Sequence, residues 1–226
     1  MCFSAKASFI ASSLLAIAGT LTLKQVKDKS QIIFASMPIL FSIQQFCEAI
    51  IWLVNDKFDD TSYLMKFFSY IFLTFALIIW PIVIPLSLMK LEKNLEVKKY
   101  LKIILSLGIS WSSLFVFILF TEKVTIDTNC SNIYYSVQMP FYFNYNIALI
   151  IYCLTTILPF FISKQKVMKL FGILLLISCL VSYFYWNTFL TSVWCYFAAL
   201  LSISVYAIIR WQNLREEYIK VLSKHL

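Results

Sequence analysis

One acid in this chain stands apart from the rest. Of the 11 Asp and Glu residues, only Glu48 falls inside an apolar stretch long enough to cross a bilayer. A carboxylate in hydrocarbon costs at least a few kcal/mol, so such a side chain faces the protein interior and finds a partner. Gln44, Gln45 and Trp52 stand three or four residues from it. That spacing puts all four on one helix face, a polar stripe where lipid is not. The sulfur chemistry is spread along the chain. Cys47, Cys153 and Cys179 fall in mid-span and read as small apolar residues, whereas Cys2, Cys130 and Cys195 belong to the outer half. Two of the latter could form a disulfide on an oxidising side. Alternatively, Cys2, Glu48 and Cys195 could ligate a metal ion, although no Cys-x-x-Cys pair is present. Removal of Met1 would leave Cys2 with an amine and a thiol together, a chelator or a nucleophile.

Other chemistries are excluded by what is missing. The single His is His225, near the C-terminus, which argues against His-ligated haem and a His-bound intramembrane zinc site. No Lys lies in the last span, so a retinal Schiff base is unsupported. Three glycines cannot build a glycine-rich phosphate loop. No Ser-His-Asp set can be assembled within the membrane.

The elements that must position these residues are helices in a membrane. The chain has 226 residues, 61% of them apolar and 13% charged, with a mean hydropathy of +0.83. A soluble domain of this size could not hide that much apolar side chain. Seven segments approach the ~20 residues a crossing requires. They are Phe3–Leu23, Ile32–Val54, Tyr63–Met89, Tyr100–Phe120, Tyr145–Ile162, Val167–Tyr185 and Phe189–Ile209. Pro81 and Pro85 predict a kink or an interfacial end in the third, and Pro159 stands near the end of the fifth. The fold expected is all-α: a polytopic bundle of seven transmembrane helices at 1–211, with a short tail at 212–226. No cleavable signal peptide is visible ahead of the first span.

Loop charges set the orientation. Fifteen of the 19 Lys and Arg residues lie in the first, third and fifth loops and the tail, which predicts those as cytoplasmic. The N-terminus is then outside, the C-terminus inside, and the protein multi-pass in the inner (cytoplasmic) membrane. The net charge of +8 is spread over several short loops, so it reads as membrane topology rather than a nucleic-acid surface. The lipid bilayer is the partner implied. The one sizeable outer loop, Thr121–Asn144, reads as a connector, with a lid as the alternative.

Depth places the stripe. At 1.5 Å per residue, Glu48 lies about 9 Å below the outer end of its helix. Trp194 and Cys195, entering the last span, reach a similar depth, and Cys2 and Ser4 start outside. Ser4, Gln44, Gln45, Glu48, Trp52 and Trp194 are therefore the candidate ligand-binding residues. A buried Glu–Gln–Ser network gluing helices together is the competing role. Ala198, Ala199 and Ser202, on the side of Cys195, suit close helix packing.

Met1-Cys2-Phe3-Ser4-Ala5, followed by Ala7-Ser8-Phe9, resembles the opening of a bacterial family of integral membrane proteins of unknown function. Gln44-Gln45, Glu48 and Trp52 resemble that family's second-helix signature. Ser192, Trp194-Cys195, Ala198-Ala199 and Ser202 resemble its last-helix signature. Ala49 stands where the family often has Gly. The resemblance implies a seven-helix membrane protein without an assigned activity, and it adds weight to Cys2, Glu48, Trp194 and Cys195. The function expected is binding or sensing of a small ligand or metal ion in an outward-facing pocket around Glu48. An intramembrane enzyme with Cys2 or Cys195 as nucleophile and Glu48 as acid or base remains open. So does a carrier protonated at Glu48.

Overall fold

The computed structural model describes residues 4–55, 63–129, 132–138 and 144–222. Cys2, Cys130 and His225 lie outside the described residues. The first helix, α1 (Ala5–Lys24), is capped by Ser4, whose hydroxyl accepts from the Ala7 N–H at 3.3 Å. Small residues on its inner face, Ser8, Ala11, Ser12 and Gly19, let it lie closely on α3 (Met37–Asn55). A Cβ on Gly19 would come within 2.8 Å of the Ile39 backbone nitrogen. Ser12 and Ser42 each donate to the other's carbonyl oxygen, at 2.9 and 2.8 Å. Short α2 (Ile32–Ala35) leads into α3, and Pro38, lacking an N–H, accounts for the break at Ser36.

The third stretch is α4 (Tyr63–Thr74), a π-helical turn at Phe75–Ile79, and α5 (Trp80–Leu91). The expected proline kink takes this form. The Trp80 N–H reaches back five residues to the Phe75 carbonyl. Pro81 has no N–H for the carbonyl that follows, Ala76, and the Tyr152 hydroxyl donates to it at 2.6 Å. Pro85 likewise leaves the Pro81 carbonyl without a helical donor. Gly108 of α6 (Leu95–Thr121) packs directly against that oxygen, where a Cβ would stand only 2.0 Å away.

Between α6 and α7 (Tyr145–Thr156) the chain forms two antiparallel strands, β1 (Val124–Asn129) and β2 (Asn132–Val137), pairing Ile126 with Tyr135 and Thr128 with Ile133. This corrects the expectation of a connector and adds strands to an otherwise helical molecule. The two-residue alternation turns Ile133 and Tyr135 to the same side. Both are buried against Ile51, Met65, Phe72 and Val193. Helix α8 (Leu158–Ile162) follows a break at Ile157, beside Pro159. Then come α9 (Lys166–Trp186), α10 (Leu190–Ser202) and α11 (Val205–Leu222), with α9 packed on α10 across the three-residue turn Asn187–Phe189.

Among the described residues, five helical stretches are long and apolar enough to cross a membrane: Ala5–Lys24, Lys29–Asn55, Tyr63–Leu91, Leu95–Thr121 and Lys166–Arg215. Tyr145–Thr156 is a shorter apolar helix. Their outer faces carry exposed Leu, Ile and Phe side chains, including Ile10, Ile17, Phe46, Ile103, Phe117, Ile150, Leu170 and Ile177. Such faces are compatible with membrane surroundings. Among the described residues, the two larger apolar cores lie at opposite ends. One lies at the hairpin end, around Cys47, Ile51, Phe72 and Val193; the other lies towards the charged loops, around Phe34, Leu88, Phe160 and Met168.

Candidate functional site

Helix α3 lies between α1, α4 and α10, which is why its polar residues are buried. Glu48 is only 2% exposed. Its Oε2 accepts from Gln45 Nε2 at 3.1 Å, and its Oε1 accepts from the Ser192 hydroxyl on α10. Gln44 Oε1 accepts from Trp80 Nε1 at 2.8 Å, and the Trp80 ring stacks on Phe41 with centroids 3.9 Å apart. The Cys195 thiol lies beside the Gln44 amide and within the field of Glu48. Above them, Tyr135 stacks on Phe72 at 4.8 Å, with its hydroxyl near Glu48, Cys47 and Cys195. Burial pushes that phenol well above its ordinary value, so it stays protonated.

Several buried polar atoms here have no partner among the described residues: Gln44 Nε2, Gln45 Oε1, Trp52 Nε1, Tyr135 OH and Trp194 Nε1. Buried polar groups are nearly always paired, with protein or with water.

Next to this cluster lies a cavity of about 460 Å³. The hairpin covers it through Tyr134 and Tyr135. The π turn contributes Ala76 and Leu77, α6 contributes Trp111 and Phe115, and α7 contributes Tyr145, Ala148 and Tyr152. Helix α10 contributes Thr191, Trp194 and Cys195. The Trp194 and Tyr152 rings meet edge to face at 5.4 Å. Beyond them a smaller cavity of about 40 Å³ is lined by the same Tyr152, Trp194 and Cys195, together with Ala198 and Ser202.

The structure therefore brings Gln44, Gln45, Glu48 and Cys195 into one cluster and adds Ser192 to it. Trp194 and Cys195 line the large cavity. Glu48, Gln44, Gln45 and Trp52 do not, whereas Tyr135 and Cys195, both within the field of Glu48, do. Ser4 caps α1 and is not on the cavity wall. Cys2, a member of the expected metal set, lies outside the described residues, and among those described no three His, Cys, Asp or Glu come together to hold a metal ion. Cys153 and Cys179 face each other between α7 and α9. Ala199 is fully buried and Ser202 donates to the Ala199 carbonyl at 2.6 Å, in keeping with packing.

Tyr135, Tyr152 and Trp80 are the residues that sequence reasoning missed. A signal for Tyr135 was present, since Val124, Ile126 and Ile133, Tyr135, Val137 alternate in the strand period. Nothing in the sequence marks Tyr152, because its role depends on a carbonyl freed by a proline on another helix.

A sequence model of the family described as "Family of unknown function (DUF6629)" matches residues 1–218, so the chain belongs to that family. No curated protein and no solved structure matches.

Proposed function

We propose that this member of the DUF6629 family is a membrane receptor that binds a small, neutral, largely aromatic or apolar molecule in the hairpin-covered cavity. The observation that carries the reading is the cavity's inner wall. There Trp194 lines the cavity among aromatic side chains, and its buried N–H has no acceptor among the described residues. Pockets of about 300–1,000 Å³ with apolar walls and a few directed polar groups are the usual form of small-molecule sites. The ligand suited to this one carries a hydrogen-bond acceptor for Trp194 and an apolar body for Phe115, Leu77 and Tyr152. Glu48 serves as the rigid anchor behind the wall. Through Ser192 it ties α10 to α3, so a ligand that shifts Trp194 and Cys195 moves a helix held by a buried carboxyl.

Supporting the membrane part of the proposal are the apolar outer faces and the turn between α9 and α10. That turn divides the stretch Lys166–Arg215 into two passes. With Tyr145–Ile162 as one crossing, the chain then crosses seven times, with its N-terminus outside, its C-terminus in the cytoplasm and the hairpin facing outward. A fluorescent protein fused after Leu226 should fold and emit, whereas alkaline phosphatase at the same place should stay inactive; the opposite pair of results refutes the orientation.

The binding reading is tested with 2-acetylnaphthalene, a neutral aromatic ketone, by native mass spectrometry of the purified protein. The wild type should hold one adduct. Thr191→Trp, which fills the cavity, should hold none, and Trp194→Phe should retain several-fold less. Equal adducts in all three proteins refute the site.

A further inference from the structure

A second concave region lies at the opposite end of the molecule, far from the hairpin. It is a groove of about 600 Å³ between the α1–α3 connection, the α5–α6 connection and the start of the polar half of α11. Its walls carry both signs of charge. Asp28 stands on one side, and Lys93 and Arg215 on the others. Glu92 also borders it, but its carboxylate already accepts from the Lys93, Asn94 and Lys164 N–H groups and the Ser163 hydroxyl, at 3.0–3.3 Å. The Arg215 guanidinium sits over the Trp211 ring, 5.5 Å from its centroid, and Trp211 is 44% exposed. An aromatic ring flanked by Arg210 and Arg215 at the end of an apolar helix is the pattern of a membrane interface.

The groove also contains a misfit. Gln212 is only 9% exposed and donates Nε2 to Gln165 Oε1 at 2.7 Å, yet its own Oε1 has no donor among the described residues. Nearby buried amides are paired: Gln31 donates to Asn213 at 2.8 Å, and Asn213 donates to the Gln25 carbonyl at 2.6 Å. A buried acceptor left open beside an acid and two bases calls for a ligand that brings its own N–H donor and its own anion.

We propose that this groove binds a zwitterion of a primary ammonium and a phosphate, the chemistry of the phosphoethanolamine headgroup. The phosphate is held by Arg215 and Lys93, with the guanidinium kept in place by Trp211. The ammonium is taken by Asp28 and by Gln212 Oε1. A quaternary choline fits poorly, because it has no N–H to offer Gln212, and a glycerol headgroup lacks the cation for Asp28. The source is a bilayer phosphatidylethanolamine or the free headgroup, and the test separates the two. The proposal does not depend on the hairpin-end cavity.

The experiment uses the full-length protein and native mass spectrometry. Phosphatidylethanolamine, phosphatidylcholine and phosphatidylglycerol of identical acyl chains are offered separately. One phosphatidylethanolamine per chain should be retained, with at least about tenfold preference over the other two, the effect of one charge-assisted hydrogen bond. Arg215→Gln, a change at an exposed position, should reduce retention by a similar factor. Asp28→Asn should do the same while keeping its helix-capping oxygen. Gln212→Met should abolish the preference over phosphatidylcholine; unchanged elution and helical circular dichroism establish that the variants are folded. If phosphoethanolamine alone raises the unfolding temperature and lipid adducts are absent, the free headgroup is the ligand. Equal retention of all three lipids with no response to phosphoethanolamine, or full retention in Arg215→Gln and Gln212→Met, overturns the proposal.

Discussion

Two buried carboxyls, one at each end of the bundle, are treated in opposite ways. Glu92, 6% exposed, joins two loops and is surrounded by four donors from the α5–α6 and α8–α9 connections. Glu48, 2% exposed, has two side-chain donors and lies among orphaned amide, indole and phenol groups. The first is a clasp: backbone N–H groups near helix ends need acceptors, and the carboxylate supplies them. The second sits in a place where hydrogen-bonding capacity exceeds what the protein itself uses. Polar groups that only stabilise tend to be satisfied, so the surplus sets the surroundings of Glu48 apart from the clasp at Glu92.

The largest effects should come from removing the two acids. Glu48→Leu strands the Ser192 hydroxyl and the Gln45 amide where water cannot replace the acceptor. At ~1–3 kcal/mol per stranded group, it should cost about 2–6 kcal/mol, read from reversible unfolding in detergent. Glu48→Gln keeps an acceptor and should cost about 1 kcal/mol. Glu92→Leu strands more donors, yet these lie near an open groove and regain water, so it should cost less than Glu48→Leu. The reverse order would break the contrast between the two ends.

A smaller effect is expected at the hairpin. Tyr135→Phe removes a hydroxyl that has no partner among the described residues and keeps the stacking on Phe72. Unfolding should shift by less than about 0.5 kcal/mol, while the 2-acetylnaphthalene adduct weakens if the phenol contributes to the site. A loss of several kcal/mol would mean that the hydroxyl is structural.

The smallest is a pH effect at the charged end. Hydrogen bonding to Ser30 holds the Asp28 carboxyl below its ordinary 3.8. A folded-state value below the unfolded one contributes stability above the unfolded pKa, and that contribution is lost as pH falls through the folded one. The unfolding midpoint should therefore drop slightly below pH 4, and Asp28→Asn should remove that part of the drop. A drop unchanged in Asp28→Asn assigns it to other acids.

The helical spans could be read from the chain because hydrocarbon demands long runs of Leu, Ile, Val and Phe, and few alternatives satisfy a backbone without water. Glu48 stood out for the same reason: one acid in such a run is conspicuous. The kink at Pro81 was foreseen, but its form, a π turn whose free carbonyl is taken by Tyr152, was not. Hairpin strands of six residues give a far weaker pattern than a 20-residue apolar run, so β1 and β2 went unseen, and the cavity they cover with them.

Local chemistry along the chain thus dictated which segments are helices, where they bend and which polar side chain needs a buried partner, since each is a matter of one residue against its surroundings. Only the packed structure decided that Ser192 would meet Glu48, that Tyr135 would come down over Cys195, and that open space would lie beside the acid rather than around it. Those outcomes rest on contacts between residues dozens to more than a hundred positions apart. They are set by how whole helices fit together, as where Gly19 and Gly108 allow close approach, and no spacing along the sequence encodes them.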